Sequence, residues 1–183
     1  MRTRIKICGI TCIEDALAAA QAGADAIGLV FDPKSPRCVD VKQAVSIVRA
    51  LPPYITVVGL FVDATPQFIH DVLNRVNLDL LQFHGAETPE YCRAFSKPYV
   101  KAIRMSPDVD LHAEERRFSE AAGLLLDSFS PAASGGTGEV FDWGRVPRDL
   151  KNPVILAGGL TSGNVADAIR RADLVLCPTR HDV

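Results

Sequence analysis

The chain has 183 residues, is 48% hydrophobic, and sets 20 lysines and arginines against 22 aspartates and glutamates for a net charge of −2. That profile fits one soluble globular domain, residues 1–183, and excludes the basic footprint of a nucleic-acid binder. No apolar run approaches the roughly 20 residues of a membrane span, and the opening "MRTRIKICGI" is too polar for a secretory signal, so the expected location is the cytoplasm.

In chain order, the first strand is expected at Ile5–Cys8, followed by a helix over Ile13–Ala22 that stops at Gly23. Ala26–Phe31 reads as the second strand. A long loop, "DPKSPRCVD" at 32–40, carries Lys34 and Arg37 to an amphipathic helix over Val41–Ala50. After the strand Ile55–Phe61, Thr65-Pro66 opens a helix, with a capping hydroxyl ahead of a proline whose missing N–H costs nothing there. Leu80–Phe83 leads to a second such start at Thr88-Pro89, where Glu87 and Glu90 suit the helix dipole. Strands at Tyr99–Ile103 and Leu124–Asp127 come next. The segment 128–143, rich in Gly, Ser and Ala, reads as a mobile lid. Val154–Ala157 and a helix over Asn164–Arg171 complete seven strand-plus-helix units.

Near-continuous apolar strands alternating with helices imply a parallel sheet covered on its outer face. Seven units without a linker favour a closed TIM (β/α)8-type barrel, an α/β fold in one domain. The rival is an open doubly wound sheet, but "CGITCIE" after the first strand lacks its glycine fingerprint. The eighth unit is short. "DLVLC" at 173–177 offers an eighth strand, whereas "PTRHDV" offers no eighth helix, so the barrel is expected to be incomplete at its C-terminal end.

A barrel brings its C-terminal strand ends to one mouth, where active sites sit. Here these are Cys8-Gly9, Asp32, Asp63, His84, Arg104, Asp127 and Gly158-Gly159. Cys8 is either a small buried residue or a thiol at the mouth. Asp127 is either a structural cap or a catalytic carboxylate. As a pair they suit sugar isomerisation, which removes one proton from carbon and gives another to oxygen. Gly158-Gly159 with Thr161 or Ser162 fits a phosphate site, though a glycine turn and helix cap explain these residues nearly as well. Arg37 is a carboxylate clamp or a solvated charge, and His84 orients a ligand or makes a structural hydrogen bond. His70 and His112 carry no signal. The five dispersed cysteines read as reduced thiols, and no second Cys/His pair supports a metal site.

"KICGIT", "IGLVFDPKSPR", "VVGLFVDAT", "LQFHG", "LLLDSFSPAASGGTGEVFDW" and "LAGGLTSGNV" occur in that order. Together, from about residue 4 to about residue 171, they resemble the phosphoribosylanthranilate isomerase family of tryptophan biosynthesis. The resemblance implies a TIM barrel and the Amadori rearrangement of N-(5-phosphoribosyl)anthranilate to 1-(2-carboxyphenylamino)-1-deoxyribulose 5-phosphate. It implies Asp127 as general acid, Cys8 as general base, Arg37 facing the anthranilate carboxylate and His84 lining the pocket. Gly158 and Gly159 would form half of the phosphate-binding backbone. No cofactor is implied, and the partner is a small phosphosugar, with no nucleic acid and no membrane, for a monomer or homodimer.

After Arg171 the chain reads "RADLVLCPTRHDV", where the family continues into an eighth strand resembling G-V-D-V-S-S-G and a final helix. The expectation is therefore weakened phosphate binding, and exposed apolar surface with an unpaired edge beside strands one and seven. Two alternatives stand beside the isomerase. One is another phosphosugar-metabolising barrel, such as an epimerase or indole-glycerol-phosphate synthase, although Lys6 and Lys101 do not match the lysine set of the latter. The other is a catalytically impaired phosphosugar-binding barrel.

Overall fold

The computed structural model describes residues 2–128 and 141–170, together with the backbone of 174–178. Its strands are β1 (Arg4–Cys8), β2 (Ala26–Val30), β3 (Thr56–Phe61), β4 (Leu80–Phe83), β5 (Tyr99–Arg104), β6 (Gly123–Asp127), β7 (Val154–Leu156) and β8 (Leu174–Pro178). Each is parallel to and hydrogen-bonded with the next, and β8 returns to β1, so the barrel closes. Cys8 lies opposite Gly28 of β2 and Pro178 of β8, and Arg104 lies opposite Asp127.

The expected open edge is corrected here. β1 pairs with β8 along all five of its residues, Arg4–Cys8 against Leu174–Pro178, and with β2 on its other side. A run such as "LVLC" needs only backbone donors and acceptors in register to complete a ladder, whatever the side chains that follow. Among the described residues the exposed large apolar side chains are Tyr54 and Phe68, neither of them on β1 or β7. The predicted lid, over most of its length, and the expected lack of an eighth helix fall outside the described residues.

The helices are α1 (Ile13–Gln21), α2 (Val41–Ala50), α3 (Pro66–Leu73), α4 (Pro89–Arg93), α5 (Leu111–Arg117) and α6 (Val165–Ile169). Their starts follow local chemistry. Thr65 and Thr88 accept from the N–H groups of Phe68 and Tyr91, each ahead of a proline at the first helical position. Asp40 and Gln43 form a reciprocal capping box at α2. α1 stops where Gly23 takes φ +87°, a left-handed value natural to glycine. α5 escapes sequence reading because "LHAEERR" buries only Leu111 and so has no apolar periodicity. Glu87 does something other than favour a helix dipole. It is buried, lies 3.1 Å from Lys101 Nζ, and accepts from the N–H groups of Asp63 and Gly85, tying together the loops after β3 and β4.

Strand alternation divides the interior. Ile27, Leu29, Phe61, Leu81, Phe83, Leu124 and Leu126 pack outward with residues of the helical layer. Val100, Ala102, Leu125, Ile155 and Ala157 form a separate cluster filling the barrel, and Cys8, Val30 and Leu60 form a third.

Candidate active site

The same alternation sets which side chains of β1 point inward. Ile7 packs with the helix layer, whereas Lys6 and Cys8 face the interior, 4% and 5% exposed. Beyond Cys8 the chain turns at Gly9, φ +86°, and Arg37 from the loop after β2 folds over it. Arg37 Nη1 donates to the Cys8 carbonyl at 3.2 Å, and a Cβ on Gly9 would lie 2.5 Å from Arg37 Cδ. Arg37 is thus held against the strand end rather than free in solvent.

Gly28 of β2 faces the same space. A Cβ there would lie 2.7 Å from Cys8 Sγ and 2.9 Å from Lys6 Nζ, so the thiol and the ammonium occupy the volume its missing side chain leaves. Lys6 Nζ donates to Cys8 Sγ at 3.2 Å and to Gln82 Oε1 of β4 at 2.8 Å. Gln82 Nε2 lies 2.9 Å from His84 Nδ1, and His84 Nε2 lies 3.0 Å from Asp127 Oδ2. The other Asp127 oxygen accepts from the Ser128 N–H at 3.0 Å. A continuous polar chain therefore crosses the barrel from the thiol of β1 to the carboxylate of β6. The hydrogen bonds of His84 join Asp127 to the interior.

Gly158 and Gly159, after β7, both take positive φ, 73° and 62°. A Cβ on Gly158 would lie 2.4 Å from Ser128 Oγ and 2.7 Å from Asp127 Oδ1, so this glycine makes room for the carboxylate as well as turning the chain. The N-cap position of α6 is Asn164 rather than Thr161 or Ser162, and its side chain bonds the preceding turn instead of the helix. Asn164 Oδ1 accepts from the Thr161 N–H at 2.8 Å and Nδ2 donates to the Gly159 carbonyl at 2.9 Å, which rigidifies the glycine turn. The region after β8, where the resemblance places the rest of a phosphate site, lies outside the described residues.

The remaining described thiols stand in different settings. Burial pushes Cys92, in the helical layer, up to about 12. Cys38 is raised by burial and then by Asp32 and Asp40. Cys8, Cys12, Cys38 and Cys92 are all unbridged. Among the described residues no cluster of three His, Cys, Asp or Glu side chains is arranged for a metal ion, and no helix is long and apolar enough to cross a membrane.

The candidates from the sequence, Cys8, Arg37, His84, Asp127 and the two glycines, are gathered by the structure at one mouth. Sequence reading missed Lys6, Gln82 and Gly28. A signal was present: Lys6 and Gln82 each stand two residues before a strand-end residue, hence on the same strand face.

A closed parallel barrel with its acidic, basic and thiol groups gathered at the C-terminal strand ends is the architecture of (β/α)8 enzymes. Within that class, the family model described as N-(5'phosphoribosyl)anthranilate (PRA) isomerase matches residues 5–177, and the chain belongs to this family. The N-(5'-phosphoribosyl)anthranilate isomerase of Alcanivorax borkumensis is 59% identical over 166 residues, 91% of this chain and 76% of that protein. The crystal structure of phosphoribosyl anthranilate isomerase from Thermotoga maritima superposes with a TM-score of 0.87 at 38% identity, covering 96% of this chain and 87% of that one. A solved complex of a phosphoribosyl anthranilate isomerase with reduced 1-(o-carboxyphenylamino)-1-deoxyribulose 5-phosphate gives 0.84 at 37% identity, over 97% and 87% of the two chains.

Proposed function

We propose that the protein is the isomerase of tryptophan biosynthesis that converts N-(5-phosphoribosyl)anthranilate to 1-(2-carboxyphenylamino)-1-deoxyribulose 5-phosphate, acting as one domain in the cytoplasm. Asp127 gives a proton to the ribose ring oxygen, and the C1–O bond breaks to leave a Schiff base. Cys8, as thiolate, takes the proton from sugar C2, and the electron pair of that bond neutralises the iminium as an enolamine. Tautomerisation to the ketone follows, so only protons move and no cofactor is required.

Arg37 supplies the guanidinium for the anthranilate carboxylate, and its hydrogen bond to the Cys8 carbonyl keeps that charge beside the base. His84 serves the same pocket from beside the acid. Gly158 and Gly159 offer backbone to the phosphate, supported by their left-handed turn beside Asp127. The observation that carries this reading is the joining of Cys8 and Asp127 by one hydrogen-bonded path, in a chain of this family. The assembly is a monomer or a homodimer, which sedimentation equilibrium distinguishes.

The test is loss of phosphoribosylanthranilate fluorescence by the purified protein, with Cys8→Ala and Asp127→Asn in parallel. Each substitution is expected to lower kcat by about 100-fold to 10,000-fold, the usual contribution of a positioned acid or base. A folded parent without turnover refutes the reading, as does a Cys8→Ala protein that retains full kcat.

A further inference from the structure

The hydrogen bonds across the barrel have a single direction, set at Lys6. An ammonium has three donors and no acceptor. Gln82 therefore turns Oε1 to Lys6, and its amide N–H faces His84 Nδ1, which must accept. The ring proton then sits on Nε2 and is donated to Asp127 Oδ2, while Oδ1 accepts from the Ser128 N–H. Both carboxyl oxygens are held, which fixes the plane of the acid. The second bond of the same ammonium goes to Cys8 Sγ.

Lys6 is buried, and among the described residues none of its hydrogen bonds goes to a carboxylate. Among the described residues the groups facing Lys6 and Cys8 are few. Gly28 and Val30 come from β2 and Leu60 from β3. Gln82 comes from β4, with His84 and Asp127 beyond it, and Arg37 lies on the Cys8 carbonyl. Burying an ammonium without an anion is expensive, and a side chain so placed either gives up its charge or acquires a partner. A thiolate 3.2 Å away is such a partner, and an adjacent cation is what favours a thiolate over a thiol.

We propose that Lys6 is a positioning residue for both reacting groups: its ammonium holds the Cys8 sulfur as thiolate, and through Gln82 it fixes His84 as the hydrogen-bond donor to Asp127. The roles given to Cys8 and Asp127 rest on the isomerase reading, whereas the pairing of Lys6 with Cys8 does not. One side chain thereby sets the charge at the base and the geometry at the acid.

The experiment compares the parent with Lys6→Met, which keeps length and loses charge, and with Gln82→Leu. Iodoacetamide alkylation of Cys8 is followed against pH by peptide mass spectrometry, and turnover is measured alongside. In Lys6→Met, alkylation of Cys8 at neutral pH is expected to slow at least about tenfold and to rise only at higher pH. The kcat is expected to fall at least about 100-fold, with KM little changed. Gln82→Leu should spare Cys8 alkylation and lower kcat, because only the acid end loses its orientation. A folded Lys6→Met protein alkylated at Cys8 like the parent overturns the pairing, and a Gln82→Leu protein with the parent's kcat overturns the relay to Asp127. Should Lys6→Met fail to fold, the ultraviolet thiolate absorbance of the parent minus that of Cys8→Ala decides. A difference present at neutral pH upholds the pairing, and its absence refutes it. A parent without turnover but with a charge-dependent Cys8 sinks the isomerase reading and leaves the pairing standing.

Discussion

Gly28→Ala tests the packing around the thiol. The position has no left-handed φ, so only space demands glycine there. An added methyl would lie 2.7 Å from Cys8 Sγ and between 2.9 and 3.0 Å from Lys6 Nζ and Cε. Non-bonded carbon contacts settle at roughly 3.5–4.0 Å, so the sulfur or the strand must give by about 1 Å. Overpacking of this size costs about 1–3 kcal/mol, and a displacement of about 1 Å in a reacting group costs about 100-fold in rate. Urea unfolding and steady-state turnover measure the two effects separately. The cause is isolated by Cys8→Ala: in that background the main obstacle is gone, and Gly28→Ala should recover about 0.5–2 kcal/mol as a coupling energy. A Gly28→Ala protein with the parent's stability and kcat, or one equally destabilised with and without the Cys8 sulfur, refutes the reasoning.

Lys101→Met leaves the Glu87 carboxylate buried with backbone donors alone, and should cost about 3–5 kcal/mol in urea unfolding. Adding Glu87→Gln should restore part of it, and a Lys101→Met protein as stable as the parent would show the pair to be dispensable. Asp25 is held below the usual carboxylate range, chiefly by its hydrogen bond to Arg2 and also by the Ile5 N–H at 2.9 Å. A depressed folded-state value means the carboxylate stabilises the fold above its unfolded value of 3.8 and loses that effect as pH falls through the folded one. Asp25→Asn should therefore be less stable near neutrality and show a shallower loss in acid, read from thermal melts against pH; parallel curves for the two proteins would refute the linkage.

The barrel was legible because its strands are buried on both faces, which writes each as a short apolar run such as "AIGLV" or "GLLLD" with no polar interruption. Cys8 and Asp127 were legible for the same reason, as the residues on which such runs stop. Lys6 was legible only in part: its spacing from Cys8 places it on the same strand face, but not what it meets there. Knowing that it meets Gln82, 76 positions away, requires that the sheet be closed and that β1 and β4 face one interior. Glu87 looked like a helix-start acid in local sequence, and only the partner on β5 changes its meaning. Asn164, rather than Thr161 or Ser162, holds the turn before α6, because its amide reaches both the Thr161 N–H and the Gly159 carbonyl, a choice among neighbours that local pattern does not rank.

Closure of β1 against β8 has a consequence for how the protein comes into being. Translation produces the strand that bears the thiol first and its closing partner after some 170 further residues, so the longest sequence separation in the sheet falls on the strand carrying the proposed base. Loop-closure entropy makes such a contact among the last to be gained. Until then one edge of β1 offers its peptide groups to any passing strand, the condition that invites misassembly and chaperone attention. The strand that carries Lys6 and Cys8 is thus the last to gain its second neighbour, residues 174–178.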